Sequence, residues 1–199
     1  MNRYPEYLEV NGKKFKINTD FRLALKCDEI FRDASIGDYE KTLAIIYILL
    51  GDAGLEAKQY YNEFVSLLTK YLSCGKENQY DSEEMPTMDF KQDEGYIKTS
   101  FMSDYGKDLD KIEMHWWQFH DLLEGLTPDC VLSRVRAIRE EPLSGKKGAE
   151  RQKLEKAKKM VELKLEKTAE QKELDKYWEE ILKKRWNNGW MVKNKYKIK

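Results

Sequence analysis

The sequence predicts a mainly α-helical fold, in which an N-terminal β-hairpin precedes a multi-helix bundle and a long, charged C-terminal helix. Three observations support this class. Asn11-Gly12 separates two short segments of alternating apolar residues, which is a strong hairpin signal. Several later segments repeat apolar residues at helical spacing. No glycine or proline interrupts the chain from Ala149 to Asn188.

The hairpin is predicted over residues 7–17, which read YLEVNGKKFKI. Asparagine and glycine tolerate the positive φ angles of a type I′ turn, so residues 11 and 12 are expected to form the turn. A two-stranded hairpin is only marginally stable by itself. We therefore expect its apolar side chains to pack against the helices that follow. These side chains are Leu8, Val10, Phe15 and Ile17.

Three helices are predicted between the hairpin and the middle of the chain. Thr19-Asp20 opens the first helix, and Ser35-Ile36-Gly37 ends it. Asp38 is a suitable N-cap for the second helix, which covers about residues 39–50. That helix is apolar on nearly every side, which indicates a place at the centre of the fold. The third helix covers about residues 56–73.

Two further helices are predicted in the central part of the chain. Asp89-Phe90 begins the first of them, and Gly106 stands where a glycine typically caps a helix C-terminus. The second covers about residues 111–124, and either Asp108 or Asp110 is expected to cap it.

Thr127-Pro128 combines an N-cap with a proline at the first helical position, so another helix is predicted to begin there. The basic segment that follows, about residues 148–186, is predicted as one long helix or as two helices with a soft joint. A charged helix with thin apolar stripes needs a surface to dock on. The two stripes are Leu154, Ala157, Val161 and Leu165, and then Leu174, Trp178, Ile181 and Leu182.

Charge divides the chain into two predicted domains, although the formal net charge is zero. Residues 1–140 carry 18 basic and 26 acidic residues, whereas residues 141–199 carry 18 basic and 10 acidic residues. We therefore predict an acidic helical body over 1–142, with the hairpin and a polar loop at about 75–88, and a basic helical extension over 143–199. The extension is expected to contact the acidic body of its own chain or of a neighbouring subunit.

Composition argues against secreted and membrane-spanning classes. The first ten residues, MNRYPEYLEV, contain no apolar core of a signal peptide. The longest apolar run, Leu43–Leu50, has eight residues, far fewer than the roughly 20 that cross a bilayer. The three cysteines are widely spaced and form no CxxC motif, so free thiols in a reducing cytosol are expected.

No motif in the sequence indicates catalysis, a cofactor or a metal. His115 and His120 are the only histidines, and they lie about 140° apart around a helix, so they do not share a face. The chain has no GxSxG, GxGxxG or GxxxxGK[ST] motif. The cysteines fall in apolar helical patterns, where thiols are usually buried and unreactive. We therefore predict a non-enzymatic protein without catalytic, cofactor-binding or metal-binding residues.

Protein–protein contacts are the expected chemistry. The two adjacent tryptophans and the nearby phenylalanine fit either a core that packs on two sides or a partner-binding cluster, and the core is the simpler role. Acidic residues are interleaved throughout the basic segment, which argues against nucleic-acid binding and favours an acidic protein partner. The candidate partner-binding residues are Trp116, Trp117, Phe119, Lys153, Lys156 and Trp178.

Three segments carry the motifs of a known family. They are VNGKKFKINTDFR at 10–22, MDFKQDEGYIKTSFMSDYGKDL at 88–109 and MHWWQFHDLLEGL at 114–126. These segments resemble the bacteriophage gene-product-15 family of tailed phages and prophages of Gram-positive hosts, and the pair YGxDL and HWWxFxxLxxGL is fairly specific. A basic segment with the family's KxxERxxxxKxKxxxxL pattern follows. It is represented by Lys147, Glu150, Arg151, Lys156, Lys158 and Leu163.

The resemblance implies a role in building phage tails. Genes of this family typically lie between those of the major tail protein and the tape-measure protein, which is the position of tail assembly chaperones. It therefore implies a chaperone that binds the tape-measure protein and recruits tail-tube subunits in the cytoplasm of the infected or lysogenic host. Its partners would be these proteins or its own subunits. Two alternatives stay open: a structural tail component, and a phage protein that binds a host defence target.

Overall fold

The computed structural model of the chain describes residues 4–76 and 86–164. In this part of the chain α-helices predominate after a two-stranded antiparallel hairpin, which confirms the predicted fold class. The compact unit extends to Leu163, so the predicted domain boundary at residue 142 falls inside it. The strands are β1 (Tyr7–Val10) and β2 (Lys13–Lys16), and the helices are α1 (Phe21–Arg32), α2 (Asp38–Leu50), α3 (Ala53–Ala57), α4 (Tyr61–Leu72), α5 (Glu94–Tyr105), α6 (Trp116–Glu124), α7 (Val131–Glu140) and α8 (Gly148–Met160).

The hairpin forms as predicted. β1 and β2 pair in antiparallel register, with Leu8 opposite Phe15. Both turn residues have positive φ angles, 49° at Asn11 and 75° at Gly12, as a type I′ turn requires. The ring of Phe15 packs edge-on against Phe64, with 5.1 Å between the ring centroids. The hairpin therefore rests on α4, as its marginal stability requires.

The first two helices begin close to their predicted capping residues. Asp20 caps α1, because its carboxylate accepts a hydrogen bond of 2.8 Å from the backbone N–H of Arg22. α2 starts at Asp38, and Gly37 rather than Asp38 is its N-cap. Only one side of α2 faces the core, so this helix is not surrounded by other elements as its composition predicted. Its buried side chains are Ile45, Ile46, Leu49 and Leu50.

The single helix predicted over residues 56–73 is divided into α3, a 3-10 turn and α4. Gly54 lets α3 lie close against α2, because a Cβ atom there would lie 3.2 Å from the side chain of Ile46. The backbone leaves helical geometry at Tyr60, with φ −112° and ψ 32°. This turn brings the ring of Tyr60 to 6.2 Å from that of Phe15. The predicted helix is therefore interrupted where Tyr60 contacts the hairpin. The spacing of apolar residues along the sequence does not reveal this contact.

α5 begins at Glu94, later than the predicted start at Asp89-Phe90. The carboxylate of Asp89 accepts hydrogen bonds from the backbone N–H groups of Lys91 and Gln92, at 3.0 and 2.7 Å. An aspartate that binds its own backbone in this way favours a turn over a helix. The helix ends at Gly106, which has the left-handed conformation expected of a capping glycine.

α6 and α7 also begin later than predicted. Asp108 does not cap a helix but closes a turn, in which its carboxylate accepts the backbone N–H of Asp110 at 3.1 Å. His115 caps α6 instead, because its Nδ1 accepts a backbone N–H of the first turn at 3.0 Å. Thr127 hydrogen-bonds to the end of α5, and Cys130 caps α7.

α8 is the first part of the predicted charged helix and ends at Met160. Residues 165–199 of the extension lie outside the described residues, and with them Trp178, the second apolar stripe and the hairpin predicted at Asn188-Gly189. Most of the loop predicted at 75–88 lies outside them too. α8 packs on α7, and its first stripe is half-buried at Leu154, Ala157 and Val161.

The core centres on Phe119 of α6, whose side chain is fully buried. Its ring stacks on Phe21 of α1 and Phe101 of α5, with centroid distances of 4.7 and 5.1 Å. The indole of Trp116 adds another nearly parallel ring at 5.7 Å. Aromatic rings carry large buried areas and stack at these distances. The stack therefore joins α1, α5 and α6.

Candidate functional site

Two of the sequence motifs meet where α1 and α6 begin. The backbone N–H of Phe21 donates to the carbonyl of Met114 at 3.0 Å, and the N–H of Trp116 donates to the carbonyl of Thr19 at 2.8 Å. The INTDFR and HWW segments thus lie side by side in a short antiparallel bridge. We call these four residues the motif junction.

Arg22 links α1 to the segment that precedes α6 through hydrogen bonds. One terminal nitrogen of its guanidinium donates to the carbonyls of Leu109 and Ile112, at 2.8 and 2.7 Å. The other donates to the carboxylate of Asp20 at 2.9 Å. A guanidinium suits this place because it offers several donors in one fixed plane. The arginine of INTDFR therefore positions the motif junction, a role that sequence spacing alone did not indicate.

Replacing Arg22 with lysine should lower the free energy of unfolding by about 1–2 kcal/mol, because a single ammonium cannot reach all three acceptors. Urea unfolding followed by circular dichroism measures this difference. Arg134→Lys is the matched control, since Arg134 is exposed on α7, and its effect should stay within about 0.5 kcal/mol. Equal effects of the two substitutions would contradict the positioning role.

His115 links the N-terminal segment to the motif junction. Its Nδ1 accepts the capping hydrogen bond of α6, so the neutral ring donates through Nε2 to the carbonyl of Pro5 at 2.9 Å. The ring also stacks on Tyr4, with 5.1 Å between centroids. His120 lies elsewhere, edge-on against Trp116, and burial lowers its pKa. The two histidines therefore lie in different surroundings.

An open cavity of about 620 Å³ lies beside the motif junction. Its lining combines amides, carboxylates, a guanidinium and an imidazole with the apolar side chains of Leu23 and Met114, so it suits a peptide segment that carries both polar and apolar groups. Sequence reasoning singled out the segments that form this cavity but not the cavity itself, because the two segments are far apart in the chain. The lining includes Asn18, Asp20, Arg22, Glu113, His115 and Gln118.

The structure places Trp116 and Phe119 in the core rather than on a partner-binding surface. Their exposed fractions are 4% and 0%, and Trp117 is half-buried. The indole N–H groups of Trp116 and Trp117 donate to the carbonyls of Leu72 and Tyr71, at 3.0 and 2.9 Å. The last carbonyls of a helix have no partner within that helix. The tryptophan pair therefore caps the C-terminal end of α4.

The lysines of the predicted partner-binding set lie on the outer side of α8. Lys153 and Lys156 are exposed, and neither makes an ion pair with a residue that the structure describes. Lys159 is exposed beside them, and Met160 is 77% exposed. We call these four residues the α8 outer face. Trp178, the remaining candidate, lies outside the described residues.

A second exposed surface, which sequence reasoning missed, lies on α2 and α4. Tyr39 and Tyr47 of α2 are 56% and 60% exposed, and the ring of Tyr39 lies 5.0 Å from that of Tyr61 on α4. Val65, one turn further along α4, is also exposed. We call these four residues the tyrosine face. The available signal was the spacing of Tyr39 and Tyr47, which stand about two turns apart on one side of α2.

Asp93 and Arg139 form a buried ion pair between the start of α5 and α7. Their side chains are 1% and 11% exposed, and the guanidinium donates to both carboxylate oxygens at 2.7 and 2.8 Å. The same guanidinium donates to the carbonyl of Thr87 at 2.9 Å and to that of Val161 at 2.6 Å. One side chain therefore joins three separate segments of the chain.

Cys27 lies in the hydrophobic core, and Cys74 packs against it. Burial raises the pKa of Cys27 and that of Cys74 to about 12, so both thiols are protonated at neutral pH. No group of three or more His, Cys, Asp and Glu side chains in this part of the chain could hold a metal ion. No helix there has both the length and the apolar character needed to cross a membrane.

Comparison with protein families connects the motif junction to known proteins. The profile of the family described as Bacteriophage Gp15 protein matches residues 1–163, which is the region of the compact unit. Comparisons with curated proteins and with solved structures found no match. The match confirms the resemblance carried by the INTDFR, YGxDL and HWW segments. The chain therefore belongs to the Bacteriophage Gp15 protein family.

Proposed function

We propose that this phage protein acts in tail morphogenesis, as a chaperone that binds the tape-measure protein and recruits tail-tube subunits. Family membership carries the proposal, since genes of the family typically lie between those of the major tail protein and the tape-measure protein. Unassembled tape-measure helices expose apolar stripes, which favour aggregation until another protein covers them. A helical protein with exposed aromatic and polar surfaces suits that task.

The cavity beside the motif junction is the surface that we assign to the tape-measure protein. Its walls are held in place, because Arg22 and His115 both make hydrogen bonds to backbone carbonyls. Glu113 and Gln118 line the same cavity and make no side-chain hydrogen bond to another described residue. Their polar atoms are therefore available to polar groups of a partner.

Coexpression of the full chain with the tape-measure protein of the same phage tests this function. We expect the tape-measure protein to stay soluble and to copurify, and we expect mature virions to lack the chaperone. Gln118→Arg places a bulky cation in the cavity beside Arg22 and should reduce the recovery of the tape-measure protein. Gln59→Arg is the matched control, because Gln59 is exposed away from the cavity lining.

Two outcomes would contradict the proposal. One is a tape-measure protein that aggregates equally with and without the chain. The other is a stoichiometric amount of this protein in mature virions, which would instead support a structural tail component. If Gln118→Arg left the recovery of the tape-measure protein unchanged, the cavity would not be its binding surface. The proposal that the chain binds the tape-measure protein would not be affected.

A further inference from the structure

We propose that copies of this chain associate head to tail, with the α8 outer face of one copy docked on the tyrosine face of the next. The two surfaces carry opposite charge, and each presents exposed apolar side chains. Both are exposed in the described part of a single chain. Neither covers the other there, so the contact joins two copies. The proposal does not depend on the capture of a tape-measure protein.

Two carboxylates border the tyrosine face. Asp38 and Glu40 flank Tyr39 in the first turn of α2. Both are exposed, and neither makes an ion pair with another residue that the structure describes. Lys41 is the neighbouring cation, and its ammonium extends over the ring of Phe31 at 5.9 Å. The surface is therefore aromatic and mainly acidic, which suits a basic partner with an apolar contact.

The α8 outer face has the complementary composition. Helical geometry places Lys156, Lys159 and Met160 on one side of α8, with Lys153 at its edge. The opposite side packs on α7, where the ammonium of Lys158 donates to a backbone carbonyl. This contact fixes the rotation of α8, so the lysines point outward together. A methionine is well suited to a contact with tyrosine rings, because its thioether packs favourably against aromatic groups.

The two surfaces also cover similar lengths of helix. The tyrosine face extends from Tyr39 to Tyr47 on α2, and the α8 outer face extends from Lys153 to Met160, so each is roughly 10–12 Å long at a rise of about 1.5 Å per residue. Because the contact joins two different surfaces, it leaves one free copy of each surface at the ends of every assembly. Such a contact adds subunits without limit unless the rotation between copies closes a ring.

The mass of the full chain, measured by sedimentation and by light scattering, tests this contact. At low salt the average mass should rise with protein concentration, beyond that of a dimer. Increasing the salt concentration should lower it, because dissolved ions screen exposed charges. The apolar part of the contact should leave some association at high salt.

Charge reversal identifies the surfaces. A triple variant of the α8 outer face, Lys153→Glu, Lys156→Glu and Lys159→Glu, should be monomeric at concentrations where the natural chain associates. A second variant, Asp38→Lys with Glu40→Lys, should be monomeric as well. Mixing the two variants should restore association, because each then meets a surface of opposite charge. Reversal of Lys16, Lys26 and Lys70, which are exposed elsewhere, is the matched control and should leave the mass unchanged.

Several results would overturn the proposal. A natural chain that stays monomeric at low salt and high concentration excludes the contact. A dimer that does not grow with concentration indicates a symmetric interface instead of a head-to-tail one. Failure of the two mixed variants to associate, when both show the circular dichroism of the folded chain, excludes these two surfaces as partners.

Discussion

Replacing Phe119 with alanine is expected to lower the free energy of unfolding by about 3–5 kcal/mol, the usual range for a buried aromatic side chain. The ring is fully buried and stacks on Phe21, Phe101 and Trp116. Its removal leaves a cavity at the point where three helices meet, and the remaining rigid rings cannot fill that space. Urea unfolding followed by circular dichroism measures the loss.

Met102→Ala is the matched control for this substitution. Met102 lies on α5, next to Phe101 in sequence, but its side chain is 48% exposed. Its truncation should change stability by no more than about 0.5 kcal/mol, as at other surface positions. If Phe119→Ala were equally mild, the stack would not be the centre of the core.

Replacing Arg139 with alanine is expected to destabilise the fold by a similar amount, about 3–5 kcal/mol. The substitution leaves the carboxylate of Asp93 buried without its cation, because that side chain is only 1% exposed. It also removes the donors to the carbonyls of Thr87 and Val161. The midpoint of urea unfolding should fall accordingly.

Two further variants distinguish the effect of an unpaired buried charge from the effect of losing an arginine side chain. Arg151→Ala removes an exposed arginine that pairs with Glu155 along α8, and it should change stability by less than about 0.5 kcal/mol. Adding Asp93→Asn to Arg139→Ala removes the unpaired charge, so the double variant should be more stable than Arg139→Ala alone. A double variant less stable than Arg139→Ala would show that the unpaired charge of Asp93 is not the main cause of the destabilisation.

Elements with strong local signals could be predicted from the sequence. Asn11-Gly12 identified the hairpin, Asp20 the start of α1 and Gly106 the end of α5. In each case the residue itself prefers the observed backbone geometry, so no distant contact is needed to decide the structure. The mainly α-helical class follows from the same kind of evidence, since helical periodicity is also a local property.

Element boundaries that depend on distant residues could not be predicted. The segment before α6 reads as helical, but its backbone pairs with Thr19 and Phe21, which lie about 95 positions earlier. The break at Tyr60 likewise accompanies contacts with the hairpin. Periodicity describes which side chains face the core, but it does not describe which other segment supplies that core.

The features of the candidate site also divide into those with a local sequence signal and those that depend on distant residues. The sequence identified Trp116 and Trp117 as unusual and allowed a core role, but it could not show that both indoles bind carbonyls at the end of α4. It marked Lys153 and Lys156 on a charged helix, and these do lie exposed on α8. The cavity beside the motif junction arises only when separate helices come together, so no single segment carries its signal. The tyrosine face also needs α4, although the spacing of Tyr39 and Tyr47 marked the part of it that lies on α2.

The position of Arg139 also bears on genetic recombination between related phages. Its acceptors stand at residues 87, 93 and 161, on both sides of it in the gene. A crossover within that interval would combine the arginine of one parent phage with acceptor segments of another. The residues of the two parents must then fit together around this guanidinium. A crossover after Leu163 keeps all of these groups together. Exchange of the region that encodes residues 164–199 therefore does not separate Arg139 from these acceptors.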